Sequence, residues 1–223
     1  MKTKKLIYSL VLFAGFTFSS CAANETATDE SLVTEAALNV IAADDAVIQA
    51  INCPTTTTET LTEEEKSGLL LMREEEKLAH DVYVYFYQKY NHRVFNNISK
   101  SETQHTEAVL RLIKLFGLSD PATTNEGEYD NEAIQGLYNS LIAQGNTLNA
   151  ALATGAYIEE YDIKDLQDLL AVTQNSSVKR VYTNLLRGST NHLKAFTGIL
   201  KLYGISYVPK ILSQSEYEAL ISK

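Results

Sequence analysis

From Thr62 to Tyr203, apolar residues return every three or four positions through four long runs, and each run carries an acid or a histidine at its middle. In the first, Leu69, Met72, Glu76, Ala79, Tyr83, Phe86 and Tyr87 share one face. The second places Ile98, Glu102, His105, Val109, Leu112 and Phe116 together. The third aligns Leu148, Leu152, Gly155, Glu159, Asp162, Leu166 and Leu169, and the fourth Val181, Leu185, Gly188, His192 and Ile199. A stripe of this period is the core-facing side of an amphipathic helix. The expected fold class is therefore all-α.

Helix boundaries are legible too. Thr62 with Glu65 three residues on has the form of a capping box. Asn91-His92 ends the first helix near Tyr90, and the second spans about Val94 to Phe116, with Gly117 as its stop. The third covers about Thr147 to Val172. Asn175-Ser176-Ser177 caps the fourth, which runs to about Tyr203 before Gly204. Each helix would be about 35–43 Å long. Short links make hairpins of helices one and two and of three and four. The link between two and three is about 30 residues, with a short helical piece at 131–143, long enough to travel the length of a bundle. A four-helix bundle with one long crossover is the expected architecture, over residues 61–204. Residues 205–223 form a C-terminal tail with one more short helix expected at 213–221.

The first sixty residues read differently. Lys2, Lys4 and Lys5 precede the apolar run Leu6 to Phe16, and Ser19-Ser20-Cys21 follows. This is a signal peptide over residues 1–20, too short to span a bilayer. Phe18-Ser19-Ser20-Cys21 resembles a bacterial lipobox, which makes Cys21 the lipidated first residue of the mature chain. Residues 21–60 are a tether, with weak helical periodicity between Glu30 and Ile51. The expected location is the bacterial cell envelope, lipid-anchored and facing the periplasm or exterior. Cys53 would then be the remaining thiol, with no cysteine to pair with and no basic neighbour to activate it.

Charge narrows the partners. The net charge is -9. Such a chain repels phosphate backbones, which argues against nucleic acid, and it can attract cations. No Gly-rich phosphate loop and no Ser-His-Asp arrangement is present.

An unpaired buried carboxylate costs several kcal/mol. One ionisable residue on every stripe, all near mid-length, calls for a shared reason, and a cation among them would supply it. Glu102 and His105 stand at i and i+3, on one face of one turn. Glu-x-x-His is the repeated unit of di-iron and di-manganese carboxylate bundles, with a lone Glu from each of the other helices. Oxygen and imidazole donors suit iron or manganese. The alternative is that His105 and His192 are hydrogen-bonded core histidines and the carboxylates sit at a solvated bundle end.

Glu76 with Ala79 and Tyr83 resembles the first-helix motif of rubrerythrin-like proteins. Arg73 to Ala79, Ser101 to His105, Ile158 to Ile163 and Ser189 to Phe196 resemble, in order, the signature segments of an uncharacterised ferritin-like family catalogued as domain of unknown function 2202. The resemblance covers about Leu61 to Tyr203. It implies a ferritin-like bundle with a dinuclear site for two Fe ions, or Mn, and no established substrate. The ligands carried over are Glu76, Glu102, His105, Glu159 and His192.

The chain departs from the full pattern on the fourth helix, where Ser189 stands three residues before His192 in place of a carboxylate. Asp162, one turn from Glu159, is the expected replacement, and Glu160, about 100° off the stripe, is the rival for Glu159. His80 is placed beside the ligands or on the surface, and His92 in a solvated loop. Tyr83, Tyr161 and Tyr182 are candidate donors to carboxylates. Three functions follow: an oxidoreductase of ferroxidase or peroxidase type acting on O2 or peroxide, an envelope metal-binding or storage module, or a structural bundle. No electron donor is visible in the chain, and a second copy of it is a candidate partner.

Overall fold

The protein is described here by a computed structural model covering residues 60–222. Among the described residues there are six helices and no strand: α1 (Glu63–Tyr90), α2 (Arg93–Leu115), α3 (Glu132–Gln144), α4 (Leu148–Val172), α5 (Ser176–Leu202) and α6 (Gln214–Ile221). The fold is all-α. No described helix is long and apolar enough to cross a membrane. The signal segment, Cys21, Cys53 and the 30–51 periodicity lie outside the described residues.

Local chemistry sets the helix ends. At α1 the Thr62 hydroxyl accepts from the Glu65 amide at 3.2 Å, and the Glu65 carboxylate accepts from the Thr62 amide at 2.9 Å. The other Glu65 oxygen accepts from the amides of Gln174 and Asn175, at 2.7 and 2.8 Å. One side chain thus caps its own helix and also pins the α4–α5 turn. Burial opposes the Glu65 charge, but these amides outweigh it and hold its pKa below the usual range. Asn91 closes α1 at φ 51°, a left-handed conformation that asparagine tolerates. His92 then caps α2 through its ring nitrogen, 3.4 Å from the Val94 amide. It is buried, with its ring edge-on to Phe95 and Tyr203. The solvated loop expected for His92 is thus corrected: its ring caps α2 and packs against Phe95 and Tyr203, which leaves it only 9% exposed.

The two-residue and three-residue links make antiparallel hairpins of α1 with α2 and α4 with α5. The hairpins meet through α1 against α4 and α2 against α5. The long link between α2 and α4 contains α3, which packs on α1 and α4. Arg73 grips this link with two prongs, its Nε and Nη2 at 2.9 and 3.0 Å from the Asp120 carboxylate. Lys77 donates to Asp81 at 2.6 Å and to the Asn125 carbonyl at 2.8 Å, and its ammonium lies 4.2 Å from the centre of the Tyr129 ring. Asp81 also accepts from the Gly127 amide and the Tyr129 hydroxyl, at 2.9 and 2.7 Å.

The apolar core is in two parts. One gathers Tyr83, Phe86, Phe95, Ile98, Leu152 and Phe196, the other Leu69, Met72, Val109, Leu112, Leu166, Tyr182 and Leu185. On α1, α2 and α5 the mid-stripe ionisable residues fall in the interval between the two; on α4, Ile158 and Ile163 of the first cluster flank Glu159 and Asp162. The segment after Gly204 belongs to the packed body: Leu212 and Tyr217 are buried in the first cluster.

Candidate metal centre

Helix α2 supplies the middle of the site. Glu102 and His105, one turn apart, are both buried. The Glu102 carboxylate lies between two imidazoles: Oε2 is 2.7 Å from His105 Nδ1, and Oε1 is 2.8 Å from His192 Nδ1 on α5. The two rings stack, 5.4 Å between centroids and 25° between planes. Outside each imidazole stands one more carboxylate. Glu76 of α1 is 3.1 Å from His105 Nδ1, and Glu159 of α4 is 3.5 Å from His192 Nδ1. Tyr83 donates its hydroxyl to the other Glu159 oxygen at 2.5 Å.

These close contacts are ion pairs, but not all are aligned as hydrogen bonds. The Glu76–His105 approach is aligned as a hydrogen bond. Neither Glu102 oxygen is in hydrogen-bond alignment with the nitrogen beside it, and His192 Nδ1 has no hydrogen-bond partner. Glu76 Oε1, Glu159 Oε2, Asp162 Oδ2 and His105 Nε2 are also buried and unpartnered. A single buried polar group without a partner costs about 1–3 kcal/mol. A cation would satisfy several of these lone pairs at once. The donors are carboxylate oxygens and imidazole nitrogens with no thiolate, which fits iron or manganese. The tightest convergence is Glu102, His105 and His192, whose ligand atoms lie within 4.8 Å of one another.

Electrostatics agree with the geometry. Burial pushes Glu76 up to about 7, despite the favourable pull of His105. Asp162 is driven well above the carboxylate range by burial and then by Glu76 and Glu159. Burial also opposes the Glu102 charge, but His105 and His192 outweigh it and hold that carboxyl far down. Burial works to lower His192, while Glu102 and Glu159 lift it to about 10. These carboxylates therefore compete for protons, and a metal ion competes for the same lone pairs.

Of the six residues expected as ligands, five gather around the stacked imidazoles. Asp162 is buried and feels the charges of Glu76 and Glu159, and like them it lies outside the Glu102–His105–His192 convergence. Glu160 is elsewhere. Its carboxylate accepts from the amides of Lys210, Ile211 and Leu212, at 2.9–3.1 Å, and from the Tyr207 hydroxyl, so it anchors the C-terminal segment. Ser189 is buried in the stripe, with its hydroxyl turned back onto the Leu185 carbonyl at 3.2 Å. His80 contacts Asp81 at 2.9 Å. Tyr182 is buried and its hydroxyl donates to no carboxylate. Sequence reasoning missed Ser101, whose hydroxyl lies 3.0 Å from His192 Nε2. Its adjacency to Glu102 was the sole available signal, and no spacing rule singles it out.

Fold and site together define an all-helical protein with a buried carboxylate–imidazole cluster shared among four long helices. The chain belongs to the family described as "Uncharacterized protein domain (DUF2202)", whose profile matches residues 65–223. A relative, "Uncharacterized protein MJ0754" of Methanocaldococcus jannaschii, is 42% identical over 151 residues, covering 67% of this chain and 82% of the relative. The crystal structure of hypothetical protein MJ0754 from the same organism superposes with a TM-score of 0.73 at 41% identity, covering 75% of this chain and 97% of that one.

Proposed function

We propose that the chain is a ferritin-like four-helix bundle with one long crossover, and that it holds two iron or manganese ions at the stacked imidazoles. The observation that carries this reading is Glu102, which presents one oxygen to each of two buried imidazoles without hydrogen-bond alignment to either. His105 and His192 would give nitrogen donors, and Glu76, Glu102 and Glu159 oxygen donors. Asp162 would add the fourth carboxylate that Ser189 lacks, so that four negative charges offset two divalent ions. A bound redox metal would supply electron transfer with O2 or peroxide. The protein's own part is to orient these donors and to exclude bulk water with apolar clusters on both sides. The Lys-rich start, short apolar run and Cys21 support a lipid-anchored envelope protein, which mass spectrometry of the mature N-terminus tests.

Elemental analysis of protein purified without chelators tests the metal reading. About two ions per chain are expected, with strong loss in Glu102→Gln and His105→Ala. Unchanged metal content in both variants would overturn it. Asp162→Asn should lower the count toward one, and Ser189→Glu in that background should restore it.

A second reading has its own observation. Ser189 gives α5 no carboxylate and spends its hydroxyl on its own helix, as in a site that binds metal without turnover. Redox cycling of the loaded protein under O2 separates the two.

A further inference from the structure

The two halves of the site are in the same register. Ser101 stands four residues before His105, and Gly188 four before His192; Glu102 and Ser189 each stand three before. The helices then exchange partners. Ser101 of α2 meets the far nitrogen of His192, at 3.0 Å. Gly188 of α5 lies beneath the far nitrogen of His105, so close that a Cβ there would be 2.5 Å from Nε2. One imidazole has a hydroxyl behind it. The other sits in a glycine notch, with Nε2 buried and unpartnered.

The carboxylates repeat the asymmetry. Glu159, beside His192, is held at one oxygen by Tyr83. Glu76, beside His105, bonds that imidazole and leaves Oε1 unpartnered. Every terminal ligand of the His192 half has a partner outside the site, and neither terminal ligand of the His105 half does.

Such outer partners fix ring orientation and tautomer before a cation arrives. With Nδ1 given to a cation, His192 keeps its proton on Nε2 and donates it to Ser101. Losing a partner of this kind typically weakens metal binding about 10–100-fold. We infer that the two metal positions are unequal: the ion shared by Glu102, Glu159 and His192 binds first and more tightly, with Ser101 and Tyr83 as its positioning residues. The ion shared by Glu76, Glu102 and His105 binds second and exchanges more readily. Gly188 is the residue that sets where that second ion's imidazole lies.

This inference rests on the metal reading above, and the test separates the two. Co(II) is titrated into the metal-free full chain, followed by calorimetry and by its d–d absorption. Two steps are expected, the first tighter. Ser101→Ala and Tyr83→Phe should each weaken the first step about 10–100-fold and shift the absorption of the first ion, leaving the second step in place. Gly188→Ala, which pushes on the His105 ring, should instead diminish the second step. Ser101→Ala and Tyr83→Phe remove one oxygen each, so either alone carries the test if the other is poorly folded by thermal melt. Two equal steps in the parent, or variants that move both steps alike, overturn the inference while the metal site stands. No Co(II) binding at all overturns the metal reading itself.

Discussion

Helix α1 carries two buried polar groups side by side, and they are built on opposite principles. Lys77 and Asp81 are fully answered by the protein: ammonium on carboxylate, carbonyl and aromatic face, carboxylate on amide, hydroxyl and imidazole. Glu76, next to Lys77, shares one imidazole and leaves an oxygen without a partner. Helix α4 repeats the contrast in adjacent residues. Glu160 is saturated by three amides and a hydroxyl, whereas Glu159 keeps an oxygen unpartnered. A buried charge satisfied by its own chain is a structural joint. A buried charge left partly unsatisfied among others of its kind is the feature on which the proposed cation site rests.

The largest expected effect breaks the joint. Asp81→Ala strands the Lys77 charge and should cost about 3–5 kcal/mol in urea unfolding, with metal content per folded chain unchanged. Loss of metal in that variant would erase the distinction between the two clusters.

The next concerns pH and the metal-free protein. Burial lifts Glu76 to about 7, so the folded chain keeps a proton that the unfolded chain releases near 4.5. Stability of the metal-free chain should then fall as pH rises from 4.5 to 7. His192 carries the fall onward: its pKa is raised to about 10, so its contribution is complete below 6.5 and is lost as pH climbs through 10. Asp81 has the opposite sign. Burial raises its pKa, but His80, Lys77, Gly127 and Tyr129 outweigh that and lower it, so its contribution is lost as pH falls into the acid range. Glu76→Gln should flatten the fall between 4.5 and 7 in melts at a series of pH values, and Asp81→Asn should leave that fall in place.

Metal should add stability to the parent, about 2.7 kcal/mol at a hundredfold excess over Kd. Glu102→Gln should abolish that gain, read as the difference between melts with and without Mn(II). The smallest effect sharpens the Glu159–Glu160 contrast. Glu160→Gln weakens the hold on three amides and should cost about 1–2 kcal/mol. Hydrogen exchange should quicken at Lys210, Ile211 and Leu212, with metal binding retained.

The sequence by itself determined the helices, their caps and the stripes that bring Glu76, Glu102, His105, Glu159 and His192 to one level. Those features depend on neighbours three or four residues away, and 3.6 residues per turn makes them local geometry. The same rule put Glu160 off the stripe but could not say what it does, because its partners lie about fifty residues away on the C-terminal segment. Ser101 behind His192, Gly188 beneath His105, and the link gripped by Lys77 and Asp81 were decided only by tertiary structure. Each joins side chains far apart in the chain, whose meeting depends on how the two hairpins pack and where the crossover lies. Helical periodicity tells which face a residue is on, and only packing decides what it meets there.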